Sequence, residues 1–188
     1  LDSGALYRLT AYRALKMGVA LNDIQEVALL ARQMQPVFKN GEIFLDGENV
    51  TEAIRQEAVG LAASKVAAIG EVRTALEDVQ KRAAQEPGLV ADGRDMGSVI
   101  FPCAQLKVFL TASAQARALR RYNQLKQKGI SANIDTLAHD LRERDRRDME
   151  RAVCPLAPAV DAKILDSSDL GIEETVAQVL QWYKESQQ

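Results

Sequence analysis

The side chains best suited to chemistry fall in two clusters. The first is Leu89-Val-Ala-Asp92-Gly93-Arg94-Asp95-Met-Gly97, an apolar run ending in a glycine-punctuated turn that carries two acids and an arginine. Short buried strands that deliver polar side chains from their C-terminal ends build the ligand crevices of open α/β sheets. An arginine set between carboxylates can be held in one orientation while its other N–H groups face an anion. The plain alternative is a strand-ending turn with a local salt bridge, since turns favour Gly and Asp in any protein. The second cluster is Arg142-Glu-Arg144-Asp-Arg146-Arg147-Asp148-Met-Glu-Arg151. At about 100° per helical residue, Arg144, Asp148 and Arg151 fall within about 60° of one another, with Arg147 beside them. Such a run is often only a solvated face held by i,i+4 pairs of about 0.2–0.5 kcal/mol each. The residue choice argues otherwise: between Arg117 and Arg151 lysine occurs only at 126 and 128, and every basic residue from 142 to 151 is arginine. A solubilising face has no reason to avoid lysine, whereas the planar guanidinium fork matches phosphate.

The remaining composition narrows the chemistry. With 24 Lys+Arg against 26 Asp+Glu and a net charge of −2, no whole-molecule field favours nucleic acid or a membrane surface. An RNA-binding face interleaves aromatics with its basic residues, and only Tyr122 lies near the arginines. A Ser-His-Asp hydrolase would have His139 as its sole histidine and no Gly-x-Ser-x-Gly turn; His139, between Ala138 and Asp140, reads as a surface residue. Cys103 and Cys154 lie far apart with no metal-like neighbour, so they read as free thiols of a reducing cytosol, and no metal ligands are assigned. No apolar run approaches the roughly 18 residues of a membrane span. What remains is chemistry that works by positioning and charge neutralisation without a general base. Phosphoryl transfer to an acceptor that is itself a phosphate fits, because that oxygen is already ionised near neutral pH.

The elements that must position these groups alternate between helix and strand. Asp2-Ser3-Gly4 reads as a cap before a helix running to about Lys16, with Arg8 one turn inside and Gly18 at its end. A second helix covers Asp23 to Gln33. Val37–Lys39 and Ile43–Leu45, joined by Asn40-Gly41, read as a hairpin, and Asp46-Gly47 turns the chain again. From Thr51 to about Gln85 the period is helical, with breaks expected near Gly60 and Gly70 and a stop at Pro87-Gly88; Ser64 and Arg73 are its notable polar residues. Leu89–Ala91 and Lys107–Ala112 read as core strands, the latter leading through Ser113 into a helix bearing Arg117, Arg120 and Arg121. A polar helix from about Asn133 leads into the arginine cluster, and Val153–Pro158 reads as a mobile loop. Lys163–Asp166 is a last strand, and Ile172–Lys184 a closing amphipathic helix containing Trp182. The alternation favours an α/β fold with a parallel sheet flanked by helices. One core of this size accommodates a small appended insert or lid.

Four ordered motifs closely resemble bacterial-type cytidylate (CMP/dCMP) kinase: Leu1-Asp-Ser-Gly-Ala-Leu-Tyr-Arg8, Ala91-Asp-Gly-Arg-Asp-Met-Gly97, Lys107-Val-Phe-Leu-Thr-Ala-Ser113, and Glu143-Arg-Asp-Arg-Arg-Asp-Met-Glu-Arg-Ala-Val-Cys-Pro-Leu156. The resemblance runs end to end. It implies a P-loop nucleoside monophosphate kinase fold with a core of residues 1–26 and 85–188, a lid at about 144–160, and a nucleoside-monophosphate-binding insert at 27–84 with a small antiparallel unit. It implies a cytoplasmic transferase of pyrimidine metabolism, a monomer with no nucleic-acid or membrane partner, that moves the γ-phosphate of ATP onto CMP or dCMP with Mg²⁺. By motif, Ser3 and Arg8 would sit beside the acceptor, and Arg8, Arg94 and Arg151 would grip its phosphate. Ser64, Arg73 and Asp95 would read the cytosine edge. Arg144 and Asp148 would address the ribose, and Arg121, Arg144 and Arg147 the donor phosphates from the lid side. The catalytic arginines would be Arg94, Arg144, Arg147 and Arg151.

One departure stands beside the match. The family's G-x-x-x-x-G-K-[ST] loop, which cradles donor phosphates, does not occur in these 188 residues, and neither does any Gly-Lys dipeptide. The expectation is a chain lacking its first strand and donor loop, poorly active by itself. The alternative is a non-catalytic nucleotide-binding or interaction module that keeps only the acceptor pocket.

Overall fold

The carboxylate of Asp2 accepts the Ala5 N–H at 3.1 Å and so starts helix α1 (Ser3–Lys16), whose last turn carries Arg13 and Lys16 at the negative end of the helix dipole. Leu6, Leu9 and Thr10 recur at i, i+3 and i+4 on one face and are fully buried. The computed structural model describes residues 1–187 and divides into two compact units, one spanning Leu1–Met96 and one from Gly97 onward. In the first unit α1 packs against α2 (Ile24–Gln33) and α3 (Glu57–Val66), and α2 packs against α4 (Gly70–Arg82). Asp23 caps α2 by accepting the Glu26 N–H at 3.2 Å.

The expected hairpin forms. Strands β1 (Val37–Lys39) and β2 (Glu42–Leu45) pair antiparallel with Val37 opposite Phe44. Asn40 and Gly41 take φ of 53° and 78°, the pair of positive dihedrals that lets a two-residue turn match strand twist. Asp46 and Gly47 repeat the device at φ 51° and 82°, adding a short third strand, β3 (Glu48–Asn49). Ile43 and Leu45 point from β2 into the core formed with Leu6, Leu9, Val27, Ile54, Val66 and Leu76. Each such side chain contributes about 1.5–3 kcal/mol by leaving water.

Two expectations in this unit are corrected. The helical stretch from Thr51 breaks at 67–69 before Gly70, and a 3-10 turn (Ala53–Arg55) precedes α3, but Gly60 lies inside α3 and breaks nothing. Leu89–Ala91 is not a core strand. It runs alongside Leu1–Ser3 through three backbone bonds, Leu1 N to Val90 O at 2.6 Å, Asp92 N to Leu1 O at 2.8 Å and Ser3 N to Asp92 O at 2.9 Å, with a single parallel bridge between Asp2 and Asp92. Val90 is 89% exposed. An apolar run becomes a buried strand only when neighbours pair and cover it, and among the described residues this one has a single short partner.

In the second unit β4 (Val108–Thr111) pairs parallel with β5 (Lys163–Asp166), Thr111 opposite Asp166, as the alternation of elements implies. Helices α5 (Ala114–Gln127) and α6 (Ile134–Glu150) lie between them in sequence. Ser113 caps α5 by accepting the Ala116 N–H at 3.1 Å, and Asn133 caps α6 by accepting that of Thr136 at 3.0 Å. Ala118 and Ala138, both buried, let the two helices approach. Helix α7 (Ile172–Glu185) follows β5, and the Lys163 ammonium lies 5.2 Å from the Trp182 ring centroid. Its apolar stripe of Ile172, Val176, Leu180 and Tyr183 is between 48% and 85% exposed, so here amphipathic periodicity builds a helix without building a core.

Gln80 is the polar exception in the first core. It is fully buried on α4, its amide N–H donates to Leu76 O at 3.2 Å, and its Oε1 has no hydrogen-bond partner among the described residues. A buried acceptor without a donor costs about 1–3 kcal/mol. Gln80→Met, close in volume and without that acceptor, is expected to raise stability by about 1 kcal/mol or more in urea denaturation; a loss of stability would show that Oε1 is satisfied.

Candidate functional site

The start of α1 and the turn at 92–95 meet in the first unit through a glycine. Ser3 is buried, and a Cβ at Gly93 would sit 2.1 Å from Ser3 Oγ and 3.0 Å from Met96 Cγ. Only glycine allows this approach. Further along α1, Arg8 donates from Nη1 to Ile54 O at 2.9 Å, and its guanidinium lies against Gly60 of α3. Ser64 is one turn after Gly60, so i,i+4 spacing puts the two on one face of α3. Ser64 is half-buried.

Arg73 and Asp95 form the electrostatic centre of this unit. They are 8% and 4% exposed and joined by a short charge-assisted hydrogen bond from Nη2 to Oδ2. Arg73 also donates from Nη1 to Ala67 O at 2.8 Å, and its Cζ lies 5.4 Å from the centroid of the Tyr7 ring. A carboxylate, a carbonyl at the end of α3 and an aromatic face on α1 thus hold one guanidinium plane. Arg94 is exposed while its neighbour Asp95 is buried, so the turn sends its acid inward and its arginine outward. The acid of the Asp92-Gly-Arg94-Asp95 turn thus pairs outside the turn, with an arginine 22 residues earlier.

The second unit holds the other arginines. Arg117 of α5 pairs both oxygens of Asp145 on α6, at 2.9 Å from Nη1 and closer from Nη2, and donates from Nε to Ala112 O at 3.0 Å. Asp145 raises the Arg117 pKa further above its ordinary value. Arg120 donates to Ser167 O, and the Ser167 N–H donates to Thr111 O at 2.8 Å. At the same ends of the strands Ser168 donates to Asp166 Oδ1 from its N–H at 2.8 Å and its hydroxyl at 2.6 Å, which lowers the Asp166 pKa. These contacts order the C-terminal ends of β4 and β5. Arg121 lies half-buried on α5; Arg144, Arg147 and Asp148 lie on α6, with Asp148 6% exposed.

Arg151 departs from the helical face that its spacing predicts. It follows the last residue of α6 with φ −63° and ψ 141°, so it has left helical register. Its Nη1 still lies 3.9 Å from Asp148 Oδ1, and its Nε donates to Cys154 O at 2.5 Å. Cys154 turns the chain at φ 47°, and the Leu156 N–H returns to Asp148 O at 2.7 Å. The segment expected to be a mobile loop is fastened at its start to the end of α6.

Sequence reasoning passed over Tyr7, Gly60 and the Arg117–Asp145 pair. A glycine inside a helical period was the available signal for Gly60; the partner of Arg117 had none, since any acid of the next helix would have served.

An α/β chain whose arginines are held by carboxylates and carbonyls has the makings of a phosphoryl-transfer enzyme. A family model described as Cytidylate kinase matches residues 1–185. Cytidylate kinases of Burkholderia cenocepacia (strain HI2424) and Burkholderia multivorans (strain ATCC 17616 / 249) are 58% and 57% identical over 184 residues, which is 98% of this chain and 81% of theirs. That of Polynucleobacter necessarius subsp. necessarius (strain STIR1) is 56% identical over 183 residues, 97% of this chain and 85% of its own length. The class is therefore that of the nucleoside monophosphate kinases. Within it, the chain belongs to the bacterial-type cytidylate kinase family.

Taking away one member of a buried ion pair strands the other charge, at about 3–5 kcal/mol. Asp95→Ala is thus expected to destabilise the protein by about that amount in chemical denaturation, and Arg73→Met combined with Asp95→Leu by less than Asp95→Ala alone. Stability unchanged by Asp95→Ala would mean that the pair is open to solvent.

Proposed function

We propose that the chain transfers the γ-phosphate of ATP to CMP or dCMP, giving CDP or dCDP, in pyrimidine nucleotide metabolism. The buried Arg73–Asp95 pair carries this reading. A carboxylate and a guanidinium locked side by side offer an acceptor and donors in fixed positions, the complement of a cytosine edge whose exocyclic amine donates and whose ring nitrogen and carbonyl accept. Uracil presents a carbonyl where cytosine has the amine, so the same pair would set two acceptors against each other. Ser64 adds a hydroxyl on the adjoining α3 face.

In this reading Arg8, Arg94 and Arg151 hold the acceptor phosphate beside Ser3, each charge-assisted bond contributing about 1.5–3 kcal/mol. Arg144 and Asp148 address the ribose, and Arg121, Arg144 and Arg147 the donor phosphates. An oxygen of the acceptor phosphate, already ionised, attacks the γ-phosphorus as the bond from that phosphorus to the β-phosphate bridging oxygen breaks. No proton need be removed first, so the work falls to Arg94, Arg144, Arg147 and Arg151, which offset the charge of the transferring group. Loss of one such arginine is expected to slow turnover by about a thousand-fold, as for arginine fingers.

Residues 1–26 and 85–188 serve as the core in this proposal, with 27–84 as the acceptor-binding insert and about 144–160 as the lid. The donor phosphates call for a G-x-x-x-x-G-K-[ST] loop, which these 188 residues do not contain; these residues alone are expected to turn CMP over poorly. Mg²⁺ would travel with the ATP phosphates. Among the described residues no group of three or more His, Cys, Asp or Glu could hold a metal ion, so no step is assigned to it. No helix among the described residues is long and apolar enough to cross a membrane. A cytoplasmic monomer acting on free nucleotides is the proposed setting.

Asp95→Asn keeps the shape of the pair while turning one acceptor oxygen into a donor. It is expected to cut the preference for CMP over UMP by about tenfold or more in calorimetric binding, since one base contact discriminates by about 1–3 kcal/mol. An unchanged CMP:UMP ratio would remove Asp95 from base reading.

A further inference from the structure

Gly60 is the fourth residue of α3, inside the helix, where glycine is less favourable than alanine by about 0.8–1 kcal/mol. It does not break the helix and it is buried. A glycine kept in such a place has a packing reason, and its surroundings supply one. A Cβ built there would lie 3.2 Å from Arg8 Nη1, 3.2 Å from Arg8 Nη2 and 3.5 Å from Arg8 Cζ. Both Nη atoms are nearer than Cζ, so the guanidinium presents its terminal N–H edge to the vacant position. Its Nη1 also donates to Ile54 O at 2.9 Å, immediately before α3. A methyl group at 60 would fall inside ordinary carbon–nitrogen contact and push the end of the guanidinium aside by a few tenths of an ångström, enough to disturb its bond to Ile54 O.

We propose that Gly60 is a positioning residue for Arg8: the absent side chain sets how far the guanidinium reaches, and so where it meets the phosphate of a bound nucleoside monophosphate. The inference rests on the reading of Arg8 as an acceptor-phosphate ligand, and it adds a residue that touches no substrate. Alignment of a charge-assisted bond weakens steeply with angle and distance, so a small displacement reaches the phosphate and nothing else in the nucleotide.

The test is Gly60→Ala in the intact protein, with calorimetric binding of CMP and of cytidine, steady-state kinetics, and the same substitution repeated on Arg8→Ala. The expected result is a CMP dissociation constant raised about tenfold, cytidine binding unchanged, and a rise in KM for CMP larger than any fall in kcat. On the Arg8→Ala background Gly60→Ala should have no further effect on CMP binding. CMP binding unchanged in Gly60→Ala, while Arg8→Ala weakens it, would overturn the positioning role alone. Equal losses for CMP and cytidine would overturn it too, because a general packing defect does not distinguish a phosphate. Arg8→Ala leaving CMP binding intact would instead remove the acceptor-site reading beneath it. Should Gly60→Ala prove unstable, the double variant with Arg8→Ala must recover that stability; failure to recover would show that the guanidinium is not what occupies the space.

Discussion

A charge taken out of water must meet its opposite, and in this chain that requirement falls on Arg73 and Asp95. Both are almost wholly buried, and they are 22 residues apart. Their pairing fastens α4 to the turn at 92–95. The turn in turn closes over Ser3 because Gly93 has no side chain to prevent it, and the Tyr7 ring and the Ala67 carbonyl complete the seat of the guanidinium. One ion pair therefore ties together α1, the end of α3, α4 and the following turn. A hydrophobic pair of the same volume could bind these elements as firmly. What it could not do is present an acceptor and donors in a fixed plane, which is the property that nucleobase recognition requires.

Two glycines shape the same unit by what they lack. Gly93 admits the hydroxyl of Ser3, and Gly60 admits the guanidinium of Arg8. Neither needs an unusual backbone dihedral, in contrast to Gly41 and Gly47, which are there for their positive φ. The distinction matters for function. A glycine at positive φ serves the path of the chain, whereas a glycine under a polar side chain decides where that side chain can reach.

Much of the architecture was legible because local chemistry and tertiary structure agree. Asp2, Asp23, Ser113 and Asn133 cap the helices that their positions imply, and Asn40-Gly41 makes the turn that its dipeptide favours. The misreadings share a cause. Leu89–Ala91 looks like a core strand, yet a strand is defined by neighbours that no local pattern contains. Gly60 looks like a break, yet α3 runs through it, and the guanidinium of Arg8, from another helix, lies against the space its missing side chain leaves. Arg151 looks like a member of the α6 face, yet the helix ends before it, where Arg151, Cys154 and Leu156 bond back toward Asp148. Of the site residues, motif resemblance pointed to Arg73 and Asp95 separately; that they are each other's partner was visible only in three dimensions.

At the centre of the proposed function is a pre-formed acid–guanidinium pair that meets a pyrimidine base while arginine holds its phosphate. A crystal structure of the protein with CMP tests this most directly. The expected result is the cytosine edge within hydrogen-bond distance of Asp95 and Arg73, with the Arg73–Asp95 contact retained and the phosphate on Arg8. CMP bound with its base remote from that pair, or the pair broken apart to admit it, would contradict the account.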